Sequence, residues 1–447
     1  MRQARYKAIV DELRASIRAG RLPPGTRLPT HRELAARHGI ALATATRVYA
    51  ELTAAGLVAG EPGRGTFVRD RSGYDGFEPL RVPRGGRVAD LSFNQPPAPG
   101  RSAGLRAALR GLAARGDIEA LLAQHPPGGR AEDRAAVATY LLDRGIDVPP
   151  DGVLLTAGAQ HGLDTALRAR ATPGDVVAVD ELTYPGIRLS AETQGIELAP
   201  VPCGPGGTDP AALDALCRRR RVGAFYTMPT LHNPLGRVMG ARDRERLVAV
   251  AREHDIALIE DGTYAFLVPD APPALFSLAP ERTTYVASLS KNLATGLRFG
   301  FLVTPAAHRA RAIRVLRAST WGTPAVITAL ATAWLRDGTV ARTERQRREE
   351  AGTRQRLARR VLGGLDYRAH PGAPFGWLVL PAGLRADRVA HTLADRGVLV
   401  STAEAFAAGP HPPAALRLAL ASPPTQASLE EALLLVREEV TRPGGMP

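Results

Sequence analysis

The sequence predicts an α/β protein in two parts. A small helical head closed by a hairpin precedes a larger body with a mostly parallel sheet and a smaller α/β portion at its C-terminal end. Three observations predict it. Residues 1–70 carry three helical patterns and then two short strand patterns. From about residue 101, strand-like apolar runs alternate with long amphipathic stretches, as in a sheet covered by helices. The 447 residues suffice for two or three folding units with a large core.

In the head, Ile9, Val10, Leu13 and Ile17 line one face of a helix running from Tyr6 to Ala19, ended by Gly20. Leu22-Pro23-Pro24-Gly25 is a turn. Thr30 caps a second helix, and Glu33 completes a capping box; that helix ends at His38-Gly39. A third helix spans about Thr44 to Ala55. Two short strands, Leu57–Gly60 and Thr66–Val68, then flank Glu61-Pro62-Gly63-Arg64-Gly65. Residues 71–100, rich in Gly, Pro and Arg, read as a linker. Candidate strands of the body are Val153–Thr156, Val176–Val179, Ala224–Met228, Ala257–Glu260, Thr284–Ala287 and Phe299–Val303. The expected organisation is a head over 1–70, the linker over 71–100, a large domain over 101–310 and a smaller subdomain over 311–447. Arg342–Arg360, with many charges of both signs, reads as a solvated helix face.

Hydrophobic residues make up 45% and charged residues 23%, an ordinary soluble balance. No apolar run approaches the ~20 residues of a membrane span, and the polar start argues against a signal peptide, so a cytoplasmic protein without a membrane partner is expected. Cys203 and Cys217 fit neither a metal spacing nor a disulfide framework; they read as inert thiols, and no metal is expected. Net charge is +14. Residues 1–70 hold twelve basic and six acidic side chains, so +6 of the excess sits in under a sixth of the chain. That local excess points to a polyanion.

Two helices joined by a tight turn and followed by a Gly-bearing hairpin form a winged helix-turn-helix. Its second helix enters the major groove of double-stranded DNA. Thr44, Thr46 and Arg47 are the candidate readers, Arg32 a phosphate contact, and Arg64 with Gly65 a wing against the minor groove. Leu28-Pro29-Thr30-His31-Arg32-Glu33-Leu34-Ala35-Ala36-Arg37, Val48-Tyr49-Ala50-Glu51-Leu52 and Gly63-Arg64-Gly65-Thr66-Phe67-Val68 resemble GntR-type winged helices over residues 5–69. That family often has Ser-Arg where this chain has Ala41-Leu42, so an operator sequence does not carry over.

Of 58 Lys plus Arg, only Lys7 and Lys291 are lysines. A lysine inside a motif is then conspicuous, because arginine forms no imine. Pyridoxal 5'-phosphate (PLP) asks a protein for an imine lysine, an acid at the pyridine nitrogen, donors to the phenolate, a phosphate cradle and a stacking ring. Residues 156–298 offer them in order. Gly158-Ala159-Gln160 opens a helix after a strand and can cradle phosphate. Tyr184 is a stacking ring, and Asn233 a phenolate donor. Asp261 ends a strand, with Tyr264 as a second phenolate donor. Ser288 and Ser290 flank Lys291, the Schiff-base lysine, and Arg298 clamps phosphate.

Thr156-Ala157-Gly158-Ala159-Gln160, Asn233-Pro234-Leu235-Gly236, Glu260-Asp261-Gly262-Thr263-Tyr264 and Ser288 through Gly300 resemble the signature segments of fold-type I aminotransferases. The resemblance covers nearly all of residues 100–440 and implies that Arg417 binds a substrate or effector carboxylate. Two departures stand out. Leu122 through Gly129 lacks the tyrosine that commonly reaches a neighbouring subunit's phosphate, and Leu235 replaces a usual threonine. A GntR head on such a body is similar to the MocR-type regulators. The resemblance implies a homodimeric, PLP-dependent transcriptional regulator. PLP on Lys291, or its external aldimine with a small amino compound, would modulate DNA binding. The rival expectation is an active transaminase moving an amino group between an amino acid and a 2-oxo acid.

Overall fold

The computed structural model describes residues 2–18, 21–22, 25–54, 57–61, 65–68, 89–95, 101–115, 117–204 and 206–442. The chain divides into two compact units, residues 1–80 with 409–413, and residues 81–408 with 414–447.

The first unit holds α1 (Arg2–Arg18), α2 (His31–His38), α3 (Leu42–Ala54), β1 (Val58–Glu61) and β2 (Gly65–Val68). Thr30 and Glu33 form the expected capping box, and Gly39 closes α2 at φ 58°, a left-handed conformation suited to glycine. The third helix starts at Leu42, earlier than its periodicity suggests. β1 and β2 pair antiparallel, Val58 opposite Val68. Tyr6, Ile9, Val10, Leu34, Val48, Leu52 and Val68 share one core. Gly63 and Arg64, at the tip of the expected wing, lie outside the described residues, as do Ala19, Gly20 and the turn residues Pro23 and Pro24.

The second unit runs β3 (Ala89–Leu91), α4 (Arg101–Arg115), α5 (Ile118–Leu122), α6 (Ala131–Leu142), β4 (Val153–Thr156), α7 (Ala159–Arg170), β5 (Val176–Asp180), α8 (Pro185–Thr193) and β6 (Glu197–Val201). The hairpin β7 (Cys203–Gly204) and β8 (Gly207–Thr208) leads to α9 (Pro210–Arg219), β9 (Ala224–Thr227), α10 (Ala241–Glu253), β10 (Ala257–Asp261), α11 (Leu275–Leu278), β11 (Thr283–Ser288) and β12 (Gly300–Val303). Then come α12 (Ala306–Ser319), α13 (Ala325–Arg336), α14 (Thr339–Val361), β13 (Tyr367–Arg368), β14 (Phe375–Val379), α15 (Ala386–Asp395), β15 (Val398–Thr402), β16 (Ala415–Ala419) and α16 (Gln426–Thr441).

Seven strands form the main sheet in the order β4-β12-β11-β10-β9-β5-β6. β12 alone runs antiparallel to its neighbours; the other pairs are parallel, which matches the mostly parallel sheet expected. β10 and β11 are buried at every position, as strands covered on both faces must be. A second sheet is ordered β13-β14-β16-β15-β3.

Two findings differ from the sequence expectations. The stretch read as a linker contains β3, which pairs parallel with β15 (Ala89 with Val398) and buries Leu91 with Leu416, Leu418 and Leu433. A three-residue strand is too short to show periodicity, and its partner lies some three hundred residues away. Nor is α14 merely a solvated face. Glu344, Arg347, Ala351, Arg354 and Ala358, spaced three or four apart, are buried along one side, with Gln355 beside them. Among the described residues, no helix is long and apolar enough to cross a membrane.

Candidate functional site

The sequence-selected body residues other than Arg417 lie on one edge of the main sheet, at the C-terminal ends of its parallel strands, where open α/β sheets hold ligands. Asp261 ends β10, and the next strand, β11, delivers Ser288, Ser290 and Lys291. The Lys291 Nζ donates to the Asn94 main-chain oxygen at 2.6 Å and lies 5.1 Å from the Phe93 ring centre. Asp261 is buried. Its Oδ1 accepts from the Thr263 N–H at 2.9 Å and its Oδ2 from the Tyr226 hydroxyl at 3.2 Å. Burial pushes its carboxyl above the ordinary range, while Thr263, Tyr226 and the Lys291 charge oppose that rise. Tyr264, also buried, accepts from the Asn94 amide at 2.8 Å and meets Phe375 edge-on.

The phosphate cradle centres on Gly158. It precedes α7 at φ 86° and offers no side-chain cap, so the first N–H groups of the helix, from Ala159 and Gln160 onward, carry the partial positive charge of a helix start. A Cβ on Gly158 would lie 2.8 Å from the Arg298 guanidinium, and one on Gly300 would lie 2.6 Å from the Gly158 carbonyl carbon. Glycine is thus required at 300 by the backbone it faces and at 158 by its φ of 86°. Arg298 donates to the Ala157 carbonyl at 3.1 Å. The Gln160 side chain faces elsewhere, donating to the Gly186 carbonyl at 2.8 Å and the Ser190 hydroxyl at 3.0 Å. The Ser288 hydroxyl accepts from the Ser290 N–H at 3.4 Å. The Ser290 hydroxyl is buried with no partner among the described residues. A buried orphan hydroxyl, an uncapped helix start and an arginine against it are the donors that a bound phosphate group satisfies. The donor set fits PLP.

Tyr184 is half-buried at the head of α8, its ring close against Gly186. Asn233 is buried, with its Oδ1 3.5 Å from Nη1 of Arg417. Arg417 is only 1% exposed, so it is no solvated strand arginine. Its guanidinium donates to the Ser92 carbonyl, reaches the Ser401 hydroxyl at 3.4 Å and lies 5.1 Å from the Phe406 ring centre. A cation in so dry a place suits a carboxylate, which guanidinium binds two-pronged. The cavity at Lys291 is also lined by Asn94, Tyr264, Arg347, Glu350 and Arg354. Glu350 bridges the two arginines at 2.8 and 2.9 Å. Behind Asn233, Asp180 accepts from His232 at 3.1 Å and from the Thr227 hydroxyl at 2.7 Å.

In the head, Arg32 and Thr46 are exposed and Thr44 is half-buried. The Thr46 hydroxyl donates to the Leu42 carbonyl at 3.1 Å and lies 3.2 Å from Nδ1 of His31, which stacks on Tyr49. Arg47 is exposed, with its guanidinium 4.5 Å over the Tyr6 ring. Gly65 opens β2 at φ 121°, against the Arg27 side chain.

The sequence reading missed Ser92, Phe93 and Asn94, which follow β3 and touch Arg417 and Lys291. It missed Tyr226, whose hydroxyl holds Asp261, and the inward arginines of α14. Tyr226 had a partial signal, being a tyrosine on a strand adjacent to that of Asp261, but Tyr285 on the other adjacent strand carries the same one. The segment after β3 had none.

Comparison with known proteins bears on both units. Residues 87–434 match the family "Aminotransferase class I and II". Residues 5–68 match "Bacterial regulatory proteins, gntR family". The HTH-type transcriptional regulator YdeF of Bacillus subtilis is 26% identical over 443 residues, covering 97% of this chain and 93% of its own. The HTH-type transcriptional regulator TauR of Rhodobacter capsulatus is 32% identical over 353 residues, covering 71% and 70%. Among solved structures, LysN, the alpha-aminoadipate aminotransferase of Thermus thermophilus complexed with N-(5'-phosphopyridoxyl)-L-leucine, is 26% identical with a TM-score of 0.72, over 79% of this chain and 92% of its own.

Proposed function

This chain belongs to the class I and II aminotransferase family and carries a gntR-family head, the make-up of MocR-type regulators, and from that premise we propose that it is a PLP-dependent transcriptional regulator sensing a small amino compound. What supports the reading is that the buried Asp261 ends one strand and Lys291 follows the end of its neighbour, while segment 92–94 contacts both Lys291 and the dry cation Arg417.

PLP supplies an electrophilic carbon and an electron sink. The chain's own residues hold and orient it. Lys291 is its covalent anchor, Asp261 the acid for its pyridine nitrogen, and Asn233 and Tyr264 the donors to its phenolate. Tyr184 is its stacking ring. Gly158, Ala159 and Gln160 offer main-chain N–H groups to its phosphate, joined by Ser288, Ser290 and Arg298. Arg417 binds the carboxylate of the incoming amino compound, which must compete for the position Lys291 holds. A ligand that binds two arrangements of the body unequally shifts DNA affinity by that difference.

The head's DNA contacts are Arg32, Thr44, Thr46, Arg47, Arg64 and Gly65. A cytoplasmic homodimer would set two heads on two half-sites. A second reading, transaminase activity, is favoured by the completeness of the lysine, acid and carboxylate set.

The test is an absorption spectrum of the PLP-loaded protein during titration with amino acids, paired with DNA binding. A visible band that shifts, persists and accompanies a change in DNA affinity is expected. Conversion onward to the pyridoxamine form, with turnover of a keto acid, would replace the regulator reading with the enzyme. Absence of any band would remove the cofactor from both.

A further inference from the structure

Glu260 and Asp261 are consecutive on β10, so their side chains leave the strand in opposite directions. Glu260 lines a second cavity of about 560 Å³, walled by segment 265–274 and the first turns of α14. That volume is ample for a small organic ligand. Its α14 wall carries two arginines beside Glu344, which is paired with Arg144. Arg345 and Arg348 stand one turn apart, and among the described residues neither has a carboxylate at ion-pair distance. Arg348 donates to the Phe266 carbonyl at 2.8 Å, and Arg345 is exposed. Burial raises the Glu260 carboxyl to about 7, so near neutrality it can present a proton as readily as a charge.

The same wall is tied to the lysine. Arg144 lines the cavity and donates to Oε1 of Glu344 at 2.6 Å. That oxygen also accepts from the Tyr140 hydroxyl at 2.7 Å and from the Asn292 amide at 2.5 Å. Asn292 directly follows Lys291.

We propose that this cavity is a second ligand site, for a small organic anion bearing phosphate or carboxylate groups, and that its occupancy reaches Lys291 through Arg144, Glu344 and Asn292. Paired guanidinium groups without acid partners recognise such oxyanions two-pronged. The site shares only Phe266 with the lining of the cavity at Lys291, so its existence is independent of the regulator reading; the link to Lys291 rests on that reading.

The full chain, loaded with PLP so that the phosphate cradle is filled, is titrated calorimetrically with inorganic phosphate, glycerol 3-phosphate and succinate. Saturable binding of at least one probe is expected, one per chain. It should weaken at least tenfold in the R345Q/R348Q double variant and persist in Arg417→Ala. The phosphate and succinate arms decide which oxyanion is preferred. No saturable binding at millimolar concentrations, unchanged affinity in the double variant, or loss in Arg417→Ala overturns the site. In the spectral arm, probe binding shifts the visible cofactor band in the wild type, and Glu344→Gln removes the shift while binding remains. A shift that survives Glu344→Gln, or binding with no shift at all, overturns the coupling.

Discussion

The ammonium of Lys291 donates to the main-chain carbonyl of Asn94, a residue nearly two hundred positions earlier, and the Asn94 amide donates in turn to Tyr264. One residue from the edge of the small sheet thereby holds two groups of the cofactor site. Asn94→Ala keeps the carbonyl and removes the amide. At about 1 kcal/mol for a lost hydrogen bond, PLP retention should weaken roughly fivefold. Equilibrium dialysis of the cofactor checks this, and retention equal to wild type would refute the role.

Arg417→Ala would remove the proposed carboxylate seat. Loss of a buried charge-assisted pair costs roughly 2–5 kcal/mol, so the amino-acid titration of the cofactor band should shift by about thirtyfold or more. A simple amine without a carboxylate should titrate alike in both proteins. If the amine and the amino acid weaken equally, Arg417 is structural.

Glu260 makes stability fall with pH. Its folded value of about 7 exceeds the ordinary 4.5, so between these limits the folded state binds more protons than the unfolded. The stabilisation is complete below about 4.5 and is lost as pH rises towards 7 and above. The shift corresponds to roughly 3 kcal/mol. Arg244 and the Phe276 N–H favour the charged form, and neighbouring Asp261 opposes it. Denaturant unfolding across this range should show the decline, and Glu260→Gln should flatten it. An equal slope in both proteins would assign the decline to other groups.

DNA affinity should fall steeply with salt, and Arg32→Ala should lower the slope of log affinity against log salt by about 1. It should weaken binding to all sequences alike. A sequence-selective loss would make Arg32 a base reader.

Legibility followed the range of the interaction. The Thr30–Glu33 capping box and the strand ends at Asp261 and Lys291 are written within a few consecutive residues, and periodicity exposes them. β3 is written nowhere locally, because its pairing with β15 spans the body and its three residues fall in a Gly-, Pro- and Arg-rich stretch. The buried side of α14 was hidden differently. Arg347 and Arg354 look like surface charge, and only the packing of Glu350 between them, with the carbonyls of Leu420 and Pro423 on Arg354, makes their burial tolerable. Arg417 was found through its motif, while its dryness came from Ser92 and Ser401, which no local pattern marks.

The parallel seam between β3 and β15 has a mechanical meaning. Among the described residues β3 is the first strand of the body, and it pairs with β15, whose other neighbour, β16, bears Arg417. The N-terminal strand of the body and the proposed carboxylate seat therefore belong to one sheet. A displacement of that sheet carries the two together.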